Sequence, residues 1–257
     1  MSAGTDAGSI GSTMRTAVGP LLSVAWRNAL DLVFPRRCVG CGAFGDFLCG
    51  ACLDAMPRAA PPRCSVCWMP VLSPAEGPGA DGVCGRCRGG TFAFEAARCP
   101  FVFSGPAREA VHALKYQGVS AIAEVMGRMM AECLDAWSLR VGALVPLPLT
   151  GPRRRARGYN QSELLAREVS RLSGVPLARR LLERRKGARP QALAADEDAR
   201  RANVADAFGV RRGSEAAGPL LLVDDVMTSG ATLDACARAL RAAGHGPVYA
   251  LAFARED

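Results

Sequence analysis

Leu220-Leu221-Leu222-Val223-Asp224-Asp225-Val226-Met227-Thr228-Ser229-Gly230-Ala231-Thr232 is the stretch whose reading decides the fold. Four apolar residues end in two carboxylates. A short run of Thr, Ser and Gly follows, and a helix then begins near Thr232. A fully apolar strand of this kind is buried on both faces, as in a parallel sheet. The loop after such a strand lies at the carboxyl edge of the sheet, where ligands bind. Free backbone N–H groups and hydroxyls at a helix N-terminus cradle an anion, and Gly230 lets the backbone approach it closely.

The same alternation continues on both sides of this run. Strands are predicted at Phe101–Phe103, Ala143–Leu147, Leu177–Leu182, Leu220–Val223 and Val248–Phe253. Helices are predicted at Ala107–Tyr116, Ile122–Trp137, Glu163–Leu172 and Thr232–Ala243. Strands that alternate with helices imply an α/β domain with a parallel sheet and helices on both faces. Gly151–Asn160 reads as an arginine-rich loop, and Arg184–Phe208 as a polar, basic segment without a clear period.

Two adjacent acids beside an anion cradle make sense if the ligand is a sugar phosphate. The acids then accept hydrogen bonds from sugar hydroxyls while the loop holds the phosphate. The alternative is a strand end whose acids merely cap a helix. Other phosphate motifs fail: there is no Gly-Lys-Ser/Thr of a P-loop, and Gly77-x-Gly79-x-x-Gly82 contains Pro78 and follows no strand. Arg153, Arg155 and Arg157, followed by Gly158, Asn160 and Gln161, come just after the predicted strand Ala143–Leu147. Arginine forks there are candidates to grip a pyrophosphate bidentately, against the alternative of a solvated basic loop. Gln191, Arg201 and Asn203 fall in the long polar segment and are candidate lid residues, against an ordinary surface excursion.

Ahead of the α/β region lies a block dominated by Pro, Gly and Cys. Such a segment cannot build an apolar core, so something else must hold it together. The chain has 11 cysteines, and eight form the Cys-x-x-Cys pairs Cys38/Cys41, Cys49/Cys52, Cys64/Cys67 and Cys84/Cys87. Each pair aims two thiolates at one point, and two pairs complete a tetrahedral all-sulfur shell around Zn2+. Two structural zinc ions are therefore expected. Sequential pairing and an interleaved cross-brace are both compatible with the spacing, and an iron–sulfur cluster is the residual metal alternative. Cys99, Cys133 and Cys236 stand alone and read as small buried apolar residues.

The formal net charge is +8, and only Lys115 and Lys186 among the 32 basic residues are lysines. Arginine suits phosphate recognition, but the chain is also rich in Ala and Gly, so compositional bias accounts for part of the excess. Residues 1–13 show no basic start leading into an apolar run, and Leu21–Phe34 is too short and too charged to span a bilayer. That stretch reads as an amphipathic helix behind a loose tail. Paired cysteines without an export signal point to a reducing cytoplasm and to metal rather than disulfides. His112 and His245 sit away from any nucleophile and take structural or surface roles. The expected organisation is a tail and amphipathic helix over 1–35, a double zinc ribbon over 36–91, and the α/β domain over 92–257.

The run 220–232 resembles the phosphoribosyl pyrophosphate (PRPP) fingerprint of type I phosphoribosyltransferases. The chain as a whole, from Leu32-Val33-Phe34-Pro35-Arg36-Arg37-Cys38 onward, resembles the ComF (ComFC) family of competence-associated proteins. The marks are the paired cysteines, Ala113-Leu114-Lys115-Tyr116, Val145-Pro146-Leu147-Pro148, Arg157-Gly158-Tyr159-Asn160-Gln161, Pro190-Gln191, Arg201-Ala202-Asn203-Val204 and the PRPP run. The chain departs from the family at Ala188, where relatives often carry threonine. The resemblance implies a double zinc ribbon joined to a phosphoribosyltransferase-like domain. It implies that Asp224 and Asp225 contact the ribose, that Val223–Thr232 bind PRPP, with Val226, Met227, Thr228, Ser229, Gly230 and Ala231 between, and that Mg2+ accompanies the pyrophosphate. It also implies a part in DNA uptake during natural transformation, with single-stranded DNA and a competence helicase or other uptake proteins as partners and no membrane insertion. The enzyme reading is a phosphoribosyl transfer to an acceptor that the residues do not name. The alternatives are a non-catalytic single-stranded DNA-binding protein and an adaptor that docks through its zinc module.

Overall fold

A computed structural model describes residues 35–71, 82–90, 92–185, 207–211, 213 and 216–257. The expected N-terminal helix and the lid candidates Gln191, Arg201 and Asn203 lie outside the described residues. Residues 37–257 form one compact unit.

The cysteine block holds two single-turn helices, α1 (Gly50–Asp54) and α2 (Gly85–Arg88). The α/β region follows as β1 (Ala97–Arg98), β2 (Phe101–Val102), α3 (Gly105–Tyr116), α4 (Ile122–Trp137) and β3 (Ala143–Pro146). Next come α5 (Gly151–Arg157), α6 (Gln161–Ser173) and the strands β4 (Leu182–Arg184) and β5 (Phe208–Val210). The chain then enters β6 (Leu220–Met227), α7 (Ala231–Ala242) and β7 (Val248–Arg255).

β3, β6 and β7 lie side by side, and β1 and β2 both pair with β7; every pairing in this sheet is parallel. β6 therefore sits in the middle. Its side chains alternate between two cores, as the pleat requires. Leu221 and Val223 pack with α3, α4 and α6, while Leu220 and Leu222 pack with α7. The prediction of helices on both faces holds.

α4 forms where Ile122, Met126, Met130 and Leu134 recur every four residues, and all four are buried. It crosses α6 closely at Gly127, where an added Cβ would lie 2.5 Å from Glu168 Cβ. Its boundaries agree with the sequence-based expectation.

Three segments differ. Gly151–Asn160, expected as a loop, contains α5: Thr150 Oγ1 accepts from the Arg153 N–H, Pro152 sits in the first turn, and Gly158 closes the helix at φ +82. Leu177–Leu182 is not a continuous strand, because Leu177 makes a single parallel bridge to Leu144 and β4 begins at Leu182. β6 runs to Met227, so the two acids lie inside the strand rather than at its end.

The cysteine block does not stand apart from the sheet. Cys38, Leu48, Cys52 and Met56 share one apolar cluster with α3 and α4. Cys64, Cys67, Cys87 and Phe94 share the other with β6, β7 and α7. Its apolar residues are few, and the larger domain supplies the rest of their surroundings.

Candidate functional site

The cysteines gather into two groups, Cys38/Cys41/Cys49/Cys52 and Cys64/Cys67/Cys84/Cys87, with the sulfurs of each group within 4.8 Å of one another. The pairing is thus sequential, and the cross-brace is ruled out. Cys41 Sγ lies 3.6 Å from Cys49 Sγ, and Cys67 Sγ lies 3.6 Å from Cys84 Sγ. A tetrahedral zinc with bonds of about 2.3 Å needs sulfur separations of about 3.8 Å, so the residues fit the ion. Backbone N–H groups donate to the sulfurs, from Cys49 to Cys38 at 3.4 Å and from Cys84 to Cys64 at 3.3 Å. Burial opposes ionisation of Cys38, but the N–H groups of Cys49, Cys41 and Gly40 outweigh it and bring the thiol down to about 6. Burial likewise opposes ionisation of Cys64, and the N–H groups of Cys84, Cys67 and Val66 bring it down to about 7. These donors stabilise thiolate, the form that holds a metal. With four sulfurs apiece the sites are closed, which suits structural zinc.

Cys99 and Cys236 are fully buried, and burial raises both thiols, Cys99 to about 12. Burial also raises Cys133, which is partly buried, to about 11. None of the three has a low thiol pKa suited to nucleophilic attack.

A cleft of about 650 Å3 opens over the carboxyl ends of β3 and β6. Asp224, Asp225, Val226, Thr228 and Thr232 form its floor, and Arg153, Arg157 and Gln161 lie on its wall. Those are residues the sequence had singled out. Lys115, Tyr116, Ser162 and Arg184 join them there.

The two acids have different partners. Asp225 is 2% exposed and pairs with Lys115 Nζ at 2.9 Å, while its Oδ2 has no hydrogen-bond partner among the described residues. Asp224 Oδ1 accepts from Ser162 Oγ at 2.8 Å and from the Asp225 N–H at 2.9 Å. Burial, then the neighbouring Asp225 carboxylate, raises Asp224 to about 7, against the hydrogen bonds from Ser162 and the Asp225 backbone. The carboxyl is thus poised to change protonation near neutrality.

Beyond Met227 the chain turns through Thr228-Ser229-Gly230 into α7. Thr228 and Ser229 are exposed, and Gly230 stands at φ +79 as the residue before the helix. A Cβ there would come within 2.9 Å of Met227 Cε and 3.1 Å of Phe92 Cε1, so both the conformation and the space call for glycine.

Several expected site residues play other parts. Val223 and Met227 are buried in the strand core. Arg155 is exposed and lines neither this cleft nor the cavity beside it, because α5 turns it to another face. Gly158 ends α5. Asn160 caps α6 by accepting from the Ser162 N–H at 3.2 Å and donates to the Leu147 carbonyl at 2.9 Å. Gln161 accepts a short hydrogen bond from Arg157, and Tyr159 donates to the Leu114 carbonyl at 2.5 Å. Together these contacts seat the arginine helix beside α3.

A second cavity of about 500 Å3 adjoins the cleft along Pro148, Leu149 and Arg184. Arg154, Arg179, Arg180 and Arg211 line it, with Glu163 holding Arg179. Burial, then the nearby Arg153, lowers Arg184 from the usual arginine value. The region is strongly cationic.

A metal module of two closed cysteine sites, packed on a parallel-sheet domain whose ligand cleft has paired acids and arginines, defines the class. Residues 29–88 match the model of the double zinc ribbon domain family. The chain is 34% identical over 115 residues to "Competence protein F" of Haemophilus influenzae, an alignment covering 44% of this chain and 50% of that protein. It is 34% identical over 97 residues to "Competence protein ComFC" of Bacillus subtilis, covering 38% and 37%. It is also 26% identical over 199 residues to "DNA utilization protein YhgH" of Salmonella typhimurium, covering 75% and 83%. The chain thus spans half the length or less of the first two relatives in these alignments. Taken with the double zinc ribbon, these likenesses make the chain similar to the ComF-type competence proteins over the aligned stretches. No helix among the described residues is long and apolar enough to cross a membrane.

Proposed function

We propose that the protein binds PRPP in the cleft over β6 and transfers its phosphoribosyl group, and that it serves DNA uptake in the manner its relatives' names suggest. The observation that carries this is the single cleft that joins Asp224 and Asp225, Thr228 and Thr232, and Arg153, Arg157 and Arg184. Hydroxyls and backbone N–H groups of Thr228–Thr232 hold the 5′-phosphate. Asp224 and Asp225 accept from the ribose hydroxyls, and Lys115 holds Asp225 in place. Arg153 and Arg157 draw the pyrophosphate to the opposite wall, with Gly158, Asn160 and Gln161 shaping that segment. Mg2+, arriving with the pyrophosphate, would neutralise leaving-group charge, and Asp225 Oδ2, unpartnered among the described residues, fits a site that receives a further cation or donor. The bond from C1 to the pyrophosphate oxygen breaks, and its electron pair leaves with the pyrophosphate. The acceptor bonds C1 from the other face and releases its proton. Positioning and fixed charge supply the acceleration.

The proposal includes a division into 1–35, 36–91 and 92–257 and a place in a reducing cytoplasm. A second reading, single-stranded DNA as ligand and the zinc ribbon as adaptor, draws support from the arginine cavity beside the cleft. Affinity for an oligonucleotide that falls steeply with salt favours it.

Calorimetric titration of PRPP with Mg2+ into zinc-loaded protein tests the proposal. Saturable binding that is lost in Asp224→Asn/Asp225→Asn is the expected result. No binding by folded wild type refutes it.

A further inference from the structure

Two residues hold the loop Thr228–Gly230 at its ends, Phe92 and Arg255, and each is tied by its neighbours to residues beside the second cysteine group. At one end stands Phe92. Its ring faces Gly230, where a Cβ would lie 3.1 Å from Phe92 Cε1. The ring stacks on Phe94 with centroids 4.6 Å apart, and the Arg86 guanidinium lies 5.1 Å from its centre. Arg86 sits between the ligands Cys84 and Cys87. The next residue, Ala93, donates its N–H to Asp234 Oδ1 at 2.6 Å, in the first turn of α7.

At the other end stands Arg255. It is 2% exposed, and its guanidinium donates to the Met227 carbonyl at 3.2 Å and, in a shorter bond, to the Thr228 carbonyl. The Glu256 N–H donates to the same Met227 carbonyl at 3.0 Å. Asp257 is held by both terminal nitrogens of Arg63 at 2.7 Å each, and Arg63 precedes the ligand Cys64 and also donates to the Trp68 carbonyl at 3.0 Å. A buried guanidinium with carbonyl partners is costly unless its place is needed. Here it fixes the two carbonyls from which the loop departs. The first cysteine group has a different place: Cys38 and Cys52 pack on the α3 and α4 side of the sheet.

We propose that Phe92 and Arg255 are positioning residues for the phosphate loop, and that metal in the second cysteine group sets the loop's affinity for a phosphoribosyl ligand through them. This rests on the loop being that ligand's site. Backbone donors must sit within about 0.5 Å of their working positions, and an exposed Thr-Ser-Gly loop does not hold itself so. Phe92 and Arg255 supply the wall against which it is held, and Arg86 and the Arg63–Asp257 pair tie that wall to the second cysteine group. Zinc in Cys64, Cys67, Cys84 and Cys87 stabilises that wall, since binding energy at such a site is folding energy.

The test uses the full-length zinc-loaded chain and two readouts: calorimetric PRPP affinity, and amide hydrogen exchange across Thr228–Thr232. Phe92→Leu keeps apolar bulk but loses the stacked ring face. It should weaken PRPP about three- to tenfold and speed loop exchange, with a melting temperature near wild type. Arg255→Lys should act in the same direction. Binding of inorganic pyrophosphate, gripped by the arginine wall, should be unchanged in both. Cys84→Ser/Cys87→Ser should weaken PRPP further, and if it does not fold the two single variants decide. Wild-type PRPP affinity and wild-type loop exchange in Phe92→Leu and Arg255→Lys overturn the inference. Equal losses for PRPP and pyrophosphate overturn it too, because they mark a general loosening. If wild type binds no PRPP, the proposed function falls and the affinity part of this inference with it, and the exchange readout decides whether Phe92 and Arg255 position the loop.

Discussion

Replacing Lys115 with methionine strands a buried carboxylate. Lys115 Nζ is 2.9 Å from Asp225 Oδ1, and the side chains are 22% and 3% exposed. Among the described residues Asp225 Oδ2 has no partner, so no second contact from them compensates when the ammonium goes. Breaking a buried pair from one side costs about 3–5 kcal/mol, and the partial exposure of Lys115 places this case near the lower figure. For a chain of this length, about 3 kcal/mol corresponds to a fall in melting temperature of about 6–12 °C. The assay is urea and thermal unfolding of Lys115→Met, Asp225→Asn and the double variant. The double variant should recover most of the loss, because a neutral amide facing a thioether leaves no buried charge. A Lys115→Met variant within about 0.5 kcal/mol of wild type would refute the reasoning, since that is the behaviour of a solvated surface pair.

The raised pKa of Asp224 makes stability depend on pH. Its value is 3.8 when unperturbed and about 7 in the folded protein, so between those values the folded state binds the extra proton. Stability should therefore fall as pH rises from about 4 to about 7 and level off above, a slope that Asp224→Asn removes when unfolding is followed by denaturant titration at each pH. Zinc release by a thiol-blocking mercurial should yield two equivalents per chain, with one lost in Cys38→Ser/Cys41→Ser, and a single shared site would give one equivalent from wild type.

Local signals carried much of this protein. The α4 helix was legible to the residue because Ile122, Met126, Met130 and Leu134 keep one buried face. The zinc ligands were legible because Cys-x-x-Cys is a property of one short turn. The α5 helix was missed although its signals were there: Thr150, Pro152 and Gly158 mark a start and a stop, but no apolar face runs between them and none of its residues is buried. The strand expected at Leu177–Leu182 failed because an apolar run does not say whether a neighbour is in reach to pair with it. Lys115 carried a signal, as one of two lysines in a chain of arginines, yet its role required the carboxylate it meets 110 residues later.

The sequence by itself determined the α/β class, the metal ligands and the acid–hydroxyl loop, because each depends on residues adjacent in the chain or on a simple period. Tertiary structure alone decided which cysteine pairs share an ion, which arginines face the cleft, and that Lys115 and Ser162 hold the two acids. It also decided that Phe92, just past the second ribbon, packs against Gly230. Those contacts join residues far apart in the chain, and their geometry follows from how the sheet packs, which no local pattern encodes.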